Sequence, residues 1–193
     1  MAALTRADLM SLERYSDERS TFRTKLIAHK ANRRVRIGAN ASLYFEDRLT
    51  MQYQIQEMLR AEKIFEAAGI QEELDAYNPL IPDGSNWKAT FMLEFPDPEQ
   101  RKEWLAKLIG IERMTWIQVA GFETVFPIAN EDLARETEDK TAAVHFLRFE
   151  LTPAMIQALK QGASLAMGIN HPKYTHSVDV AQNVRQSLLG DLA

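Results

Sequence analysis

The chain of 193 residues contains no cysteine. That absence excludes disulfides, an iron–sulfur cluster held on the chain's own thiolates, a cysteine-ligated zinc site and thiol-based reduction of peroxide. Any redox role must fall to another ligand set or to another protein. The start, MAALTRADLMSL, lacks the basic and long apolar regions of a secretion signal, and no apolar run approaches the ~18 residues needed to span a bilayer. These features read as a cytoplasmic protein without a membrane partner. No G-x-S-x-G, P-loop or G-x-G-x-x-G is present, which removes the commonest hydrolase, NTPase and dinucleotide signals. No ligand pair falls in H-x-H, H-x-x-x-H or E-x-x-H spacing on an expected helix, so the ferritin-like di-iron pattern is also missing. Repeats and low-complexity segments are absent.

What remains is the composition of an ordinary globular protein, 46% hydrophobic and 26% charged, long enough to bury a core without disulfides or metal. A single domain over residues 1–193 is expected, with a helical and hairpin part to about residue 77 and a sheet-forming part from about residue 87. The net charge of −4 argues against a general nucleic-acid binder. The charge is unevenly spread, however. Arg23, Lys25, Lys30, Arg33, Arg34 and Arg36 follow one another with His29 and without an acid, leaving the remainder distinctly acidic.

Thr5 and Asp8 resemble a capping box. A helix is expected from Ser16 or Asp17 to about Lys30, placing Phe22, Leu26 and His29 on one face. RRVRIG and ANASLYFED read as a hairpin turning at Gly38, Ala39 and Asn40. The helix FEDRLTMQYQIQEMLRAEKIF follows, with Gly69 as its stop before a short helix QEELDAY. Strands are expected in KATFMLEF, MTWIQVA, FETVFPI, AAVHFLRFEL and ASLAMGIN. Helices are expected from Asp97 to Leu108, briefly from Asn130, in TPAMIQALKQG and from Asp179 to Leu189. That order gives an α+β fold on a mixed or antiparallel sheet, with helices mainly on one face. NPLIPDGSN, from Asn78 to Asn86, is the longest irregular stretch. It reads either as a connector or as a loop that contacts a ligand.

Several charged residues fall where apolar ones belong. On a helical wheel Met51, Ile55, Met58 and Phe65 form a stripe with Glu62 in its middle and Glu57 at its edge, while Gln52, Gln56, Arg60 and Lys63 face water. A buried Glu62 requires a partner or a proton, so it reads as a structural ion pair or as a functional acid. In AAVHFLRFEL, His145, Leu147, Phe149 and Leu151 point one way and Val144, Phe146, Arg148 and Glu150 the other. Arg148 then needs a carboxylate, with Glu150, Glu94 and Glu62 as candidates, either in a structural network or as an anion clamp. His29, His145 and Glu62 are the metal-ligand candidates, with Glu57 beside them, although an inward histidine equally serves as a hydrogen-bonded core residue. His171 and His176, in NHPKYTH, are expected in a loop.

The segments LIAHKANRRVRIG, YFEDRLTMQYQIQEMLRAEKIFE, AYNPLIPDGSN and AVHFLRFELTP together resemble a bacterial family known as domain of unknown function 3501, over nearly the whole chain. The resemblance implies a cytoplasmic protein encoded beside a rubrerythrin-like protein and an iron–sulfur oxidoreductase, and hence a place in peroxide defence or electron transfer. With neither cysteine nor E-x-x-H, this chain cannot duplicate either neighbour's cofactor. The expectation is therefore a non-catalytic accessory protein docking an acidic redox partner on the stretch Arg23 to Arg36, with a homodimer compatible with that role. The alternative is a metal-dependent or small-ligand enzyme using the internal His/Glu/Arg cluster.

Overall fold

Alternating apolar residues in the hairpin and in the strands that follow it dictate a sheet with one buried face. In the computed structural model, which describes residues 2–132, 135, 137 and 139–193, that sheet has five strands in the order β1-β2-β3-β6-β5. These are β1 (Arg34–Ile37), β2 (Ala41–Phe45), β3 (Asn86–Leu93), β5 (Ile128–Ala129) and β6 (Val144–Glu150), all antiparallel. A second antiparallel sheet joins β4 (Thr115–Val119), β7 (Leu165–His171) and β8 (Tyr174–Asp179). The α+β class holds, with both sheets antiparallel.

The inward residues Leu43, Phe45, Trp87, Phe91, Leu147 and Phe149 bury against Ile117, Met167 and Ile169 of the second sheet. Helices α5 (Pro153–Lys160) and α6 (Gln182–Leu189) close this core through Leu159 and Leu188, and the Trp87 indole donates to the Leu188 carbonyl at 2.9 Å. Fully burying each such side chain contributes about 1.5–3 kcal/mol. Helix α4 (Pro98–Lys107) is capped by Asp97, whose side chain accepts from the Gln100 amide. A second, smaller core lies among α1 (Leu12–Ala31), α2 (Arg48–Glu62) and α3 (Ala67–Tyr77), built from Met51, Ile55, Leu59 and Leu74.

Several expectations are corrected. Helix α1 starts at Leu12 because Ser11, not Ser16, accepts the Arg14 amide as N-cap. Helix α2 ends at Glu62, where Lys63 turns left-handed at φ 55°, so Glu62 is exposed and Phe65 lies outside the helix at 65% exposure. The buried face runs through Met51, Ile55 and Leu59 instead. Gln56, expected to face water, is fully buried because its amide accepts from the Met10 N–H at 2.6 Å and donates to the Met10 carbonyl. Gly69 lies inside α3 rather than stopping α2. FETVFPI contributes only the short strand β5 and a bridge between Val125 and Ile117. The brief helix expected from Asn130 falls on a stretch that includes residues outside those described.

NHPKYTH is the hairpin of β7 and β8 rather than a loop. Tyr174 donates from its hydroxyl to the Ile37 carbonyl at 2.8 Å and accepts from the Asn40 amide at 2.9 Å, docking the second sheet on the β1–β2 turn. Gly38, at φ 70°, is required there twice over: its backbone is left-handed, and a Cβ would meet the Tyr174 hydroxyl at 2.6 Å. Among the described residues no helix is long and apolar enough to cross a membrane.

Candidate ligand-binding cleft

The strand alternation that buries Phe45, Ala89 and Leu147 turns their neighbours to the opposite face of the five-stranded sheet. Glu46 continues the β2–β3 ladder by one residue, its amide donating to the Lys88 carbonyl at 2.8 Å. Lys88 in turn stands opposite Arg148. Three charged residues thus form one row across the outer face, with Thr90 and Phe146 paired in the adjacent row.

This row floors a cleft of about 610 Å3, within the size range of small-molecule sites. The end of α3 and the turn after it roof the cleft with Tyr77, Pro79 and Leu80, and Glu131 stands at its side. The irregular stretch from Asn78 to Asn86 therefore contributes directly to the cleft.

The charges in the row are unequally satisfied. Arg148 makes a bidentate pair with Glu131, at 2.6 and 2.8 Å, and also donates to Glu150, which takes a further bond from Asn86. The hydrogen bonds from Arg148 hold the Glu131 carboxyl below its ordinary range, and the same bonds raise the arginine. Lys88 is half-buried, and its ammonium donates to the Pro79 carbonyl at 2.6 Å. Burial, reinforced by Arg148, lowers its proton affinity. Glu46 is only 6% exposed, and its Oε1 accepts from the Thr90 hydroxyl at 2.7 Å. Its Oε2 is buried and has no hydrogen-bond partner among the described residues. A carboxylate oxygen removed from water without a donor costs free energy, which sets Glu46 apart from the paired Arg148 of the same row.

The residues singled out from sequence fall into separate surroundings. Arg148 lies in the cleft row, half-buried, and pairs with Glu150 as expected, while its second carboxylate is Glu131. Glu94 instead serves Ser42, Tyr44 and Arg34. Burial pushes its carboxyl up, but those hydroxyls and the guanidinium outweigh burial and hold it low. Glu57 accepts two bonds from Arg19, both at 2.7 Å, and one from the Tyr15 hydroxyl, which bring its pKa down to about 2.

His29 lies 2.5 Å from Asp47. His145, fully buried, contacts Asn130 through Nδ1 and Thr141 and the Ala142 carbonyl through Nε2, each at 3.0 Å, with buried Glu112 at 4.0 Å. His29, His145 and exposed Glu62 therefore do not form one site. Among the described residues no group of three histidine, aspartate or glutamate side chains is placed to hold a metal ion.

The basic stretch is also divided. Arg33 is 2% exposed and donates to the Phe45 and Glu46 carbonyls and to Asp191, the last at 2.5 Å, with Asp47 at 3.4 Å. Arg34 is taken by Ser42 and Glu94, and Arg36 by the Ala39 carbonyl. Arg23 and Lys25 remain exposed on α1, and Lys30 is half-buried.

Sequence reasoning missed Glu46 and Lys88, whose signal was present. Each follows a large inward aromatic, Phe45 or Trp87, and so belongs to the outer face.

The profile of the family described as "Protein of unknown function (DUF3501)" matches residues 3–192. The crystal structure at 1.90 Å of a novel protein of unknown function from Burkholderia pseudomallei is similar at 49% identity, with a TM-score of 0.94 over 100% of both chains. No curated protein matches the chain.

Proposed function

The chain belongs to the DUF3501 family, and from that premise we propose that it is a small-molecule-binding protein whose ligand occupies the cleft above Glu46, Lys88 and Arg148. One observation carries this reading: Glu46, which lines the cleft, is buried with one carboxylate oxygen lacking a donor among the described residues, whereas Glu131 beside it is held by Arg148 through both oxygens. A fold under no functional demand would place an apolar side chain or a paired acid there. This keeps the small-ligand part of the enzyme alternative and moves its site from the histidines to the sheet face.

The test is a fragment screen by thermal shift and protein-observed NMR, repeated on Ala76→Trp, which obstructs the rim at an exposed position. Binders are expected that stabilise the natural chain and lose their effect in the variant. No binders at all, or binders indifferent to the obstruction, would contradict the reading.

A second reading rests on a different surface. Arg23, Lys25 and Lys30 have no carboxylate partner among the described residues, and Ile27 between them is 61% exposed. This favours docking of an acidic protein on α1, with a redox protein as the partner that the family resemblance suggests. Reversing the charge of these three residues should abolish co-purification of such a partner at low salt. Unchanged co-purification would exclude it.

A further inference from the structure

The second half of α1 carries Arg23, Ile27 and Lys30 at i, i+4 and i+7, which is one stripe of a helix. Ile27 is 61% exposed, and neither cation makes an ion pair among the described residues. No acid lies between Ser20 and Ala31. The acids that face α1 from α2 and its cap, Glu57 and Asp47, are taken by Arg19 and by His29 with Arg33.

The same spacing recurs with the opposite charge on α3. Glu66, its N-cap, stands with Ile70 and Glu73 at i, i+4 and i+7. Burial, and then the charges of Glu62 and Glu72, push the Glu73 carboxyl up, so these acids crowd one another. No residue between Ile64 and Trp87 is basic. From the neighbouring segments come Arg6, Arg60 and Lys63, of which Arg60 also acts on Glu57, while Arg48 is taken by Asp8 and Lys88 by the Pro79 carbonyl. The acids therefore remain in excess, and none of Glu62, Glu66, Glu72 and Glu73 makes an ion pair among the described residues. Beside them Phe65, 65% exposed, and Ile70 line a hollow of about 310 Å3 together with Leu59 and Ile64.

A nucleic acid or an anionic membrane would meet the basic stripe but be repelled by the acidic one. A foreign acidic protein would engage the basic stripe alone. A second copy of the chain satisfies both, with an apolar residue at the centre of each stripe. We propose that α1 of one copy docks on α3 of a second copy, Arg23 and Lys30 pairing with Glu73 and Glu66 while Ile27 enters the hollow beside Phe65 and Ile70. This rests on the reading of α1 as a dock for an acidic surface and names that surface.

The experiment is sedimentation equilibrium of the full chain over a range of concentrations and salt. Exposed ion pairs are individually weak and screened, so association is expected at about 20 mM salt and should weaken about tenfold or more at about 500 mM. Arg23→Glu with Lys30→Glu should be monomeric, and so should Glu66→Lys with Glu73→Lys. An equimolar mixture of the two double variants should associate, because each carries the complement of the other. Circular dichroism establishes that they fold, and if the half-buried Glu73→Lys does not, Glu62→Lys with Glu66→Lys, both exposed, takes its place. A natural chain that stays monomeric at low salt, association indifferent to either reversal, or a mixture that stays monomeric would overturn the proposal. A monomeric natural chain that still co-purifies an acidic protein through Arg23 and Lys30 would remove the second copy as the partner and leave the docking reading standing.

Discussion

Two charged clusters meet where β2 runs into α2, and they differ in how completely their groups are satisfied. On one side Arg33 reaches the carbonyls of Phe45 and Glu46 and the carboxylate of Asp191, while Asp47 accepts from the Thr50 amide as helix cap and contacts His29. On the other side Glu46, in the wall of the cleft, has one carboxylate oxygen bonded and one buried without a donor among the described residues. Consecutive acids thus belong to a closed network and an open one. A buried polar network rigidifies a fold only when its members are paired, so the closed cluster is the structural one. The open cluster costs the fold stability, and the reading proposed above assigns it to ligand binding.

The sharpest way to break this comparison is Arg33→Met. Leaving Asp191 buried without its cation should cost about 3–5 kcal/mol in urea unfolding. A loss below about 1 kcal/mol would mean the closed cluster is not structural.

A second test uses pH. Burial raises the Asp191 pKa from 3.8 to about 6, against the pull of Arg33. The folded chain then binds this proton more tightly than the unfolded chain. The stability it contributes is complete below about pH 4 and declines as pH rises to about 6, by up to about 3 kcal/mol. Glu57, held near 2, works oppositely: its contribution is complete above its unfolded value of 4.5 and is lost as pH falls toward 2. Subtracting the pH–stability curve of Asp191→Asn from that of the natural chain should isolate a fall between pH 4 and 6. Parallel curves would contradict it.

The smallest effect belongs to a carboxylate of neither cluster. Glu62→Gln, at an exposed helix end, should change stability by no more than about 0.5 kcal/mol, giving the baseline for the other variants.

The outer and inner faces of β6 were legible in sequence because a strand has a period of two: His145, Leu147 and Phe149 are buried, and Arg148 with Glu150 is not. The family was legible too, in its long characteristic segments. Glu62 was misread because helical periodicity continues past the point where Lys63 turns left-handed, and a lysine carries no signal for that conformation. Gln56 was misread because its partner is the backbone of Met10, brought in from another segment. Arg33 looked like part of a basic surface because Asp191 lies 158 residues away. The cleft itself depends on a roof from α3 and the following turn, which alternation in β3 and β6 does not specify.

The most direct test of the central claim compares adjacent acids: the unfolding free energies of Glu46→Gln and Asp47→Asn at neutral pH. If Glu46 is held for a ligand and Asp47 for the fold, Glu46→Gln should lie within about 1 kcal/mol of the natural chain while Asp47→Asn loses about 2 kcal/mol or more. Equal losses for the two would show Glu46 to be a structural residue and contradict the account.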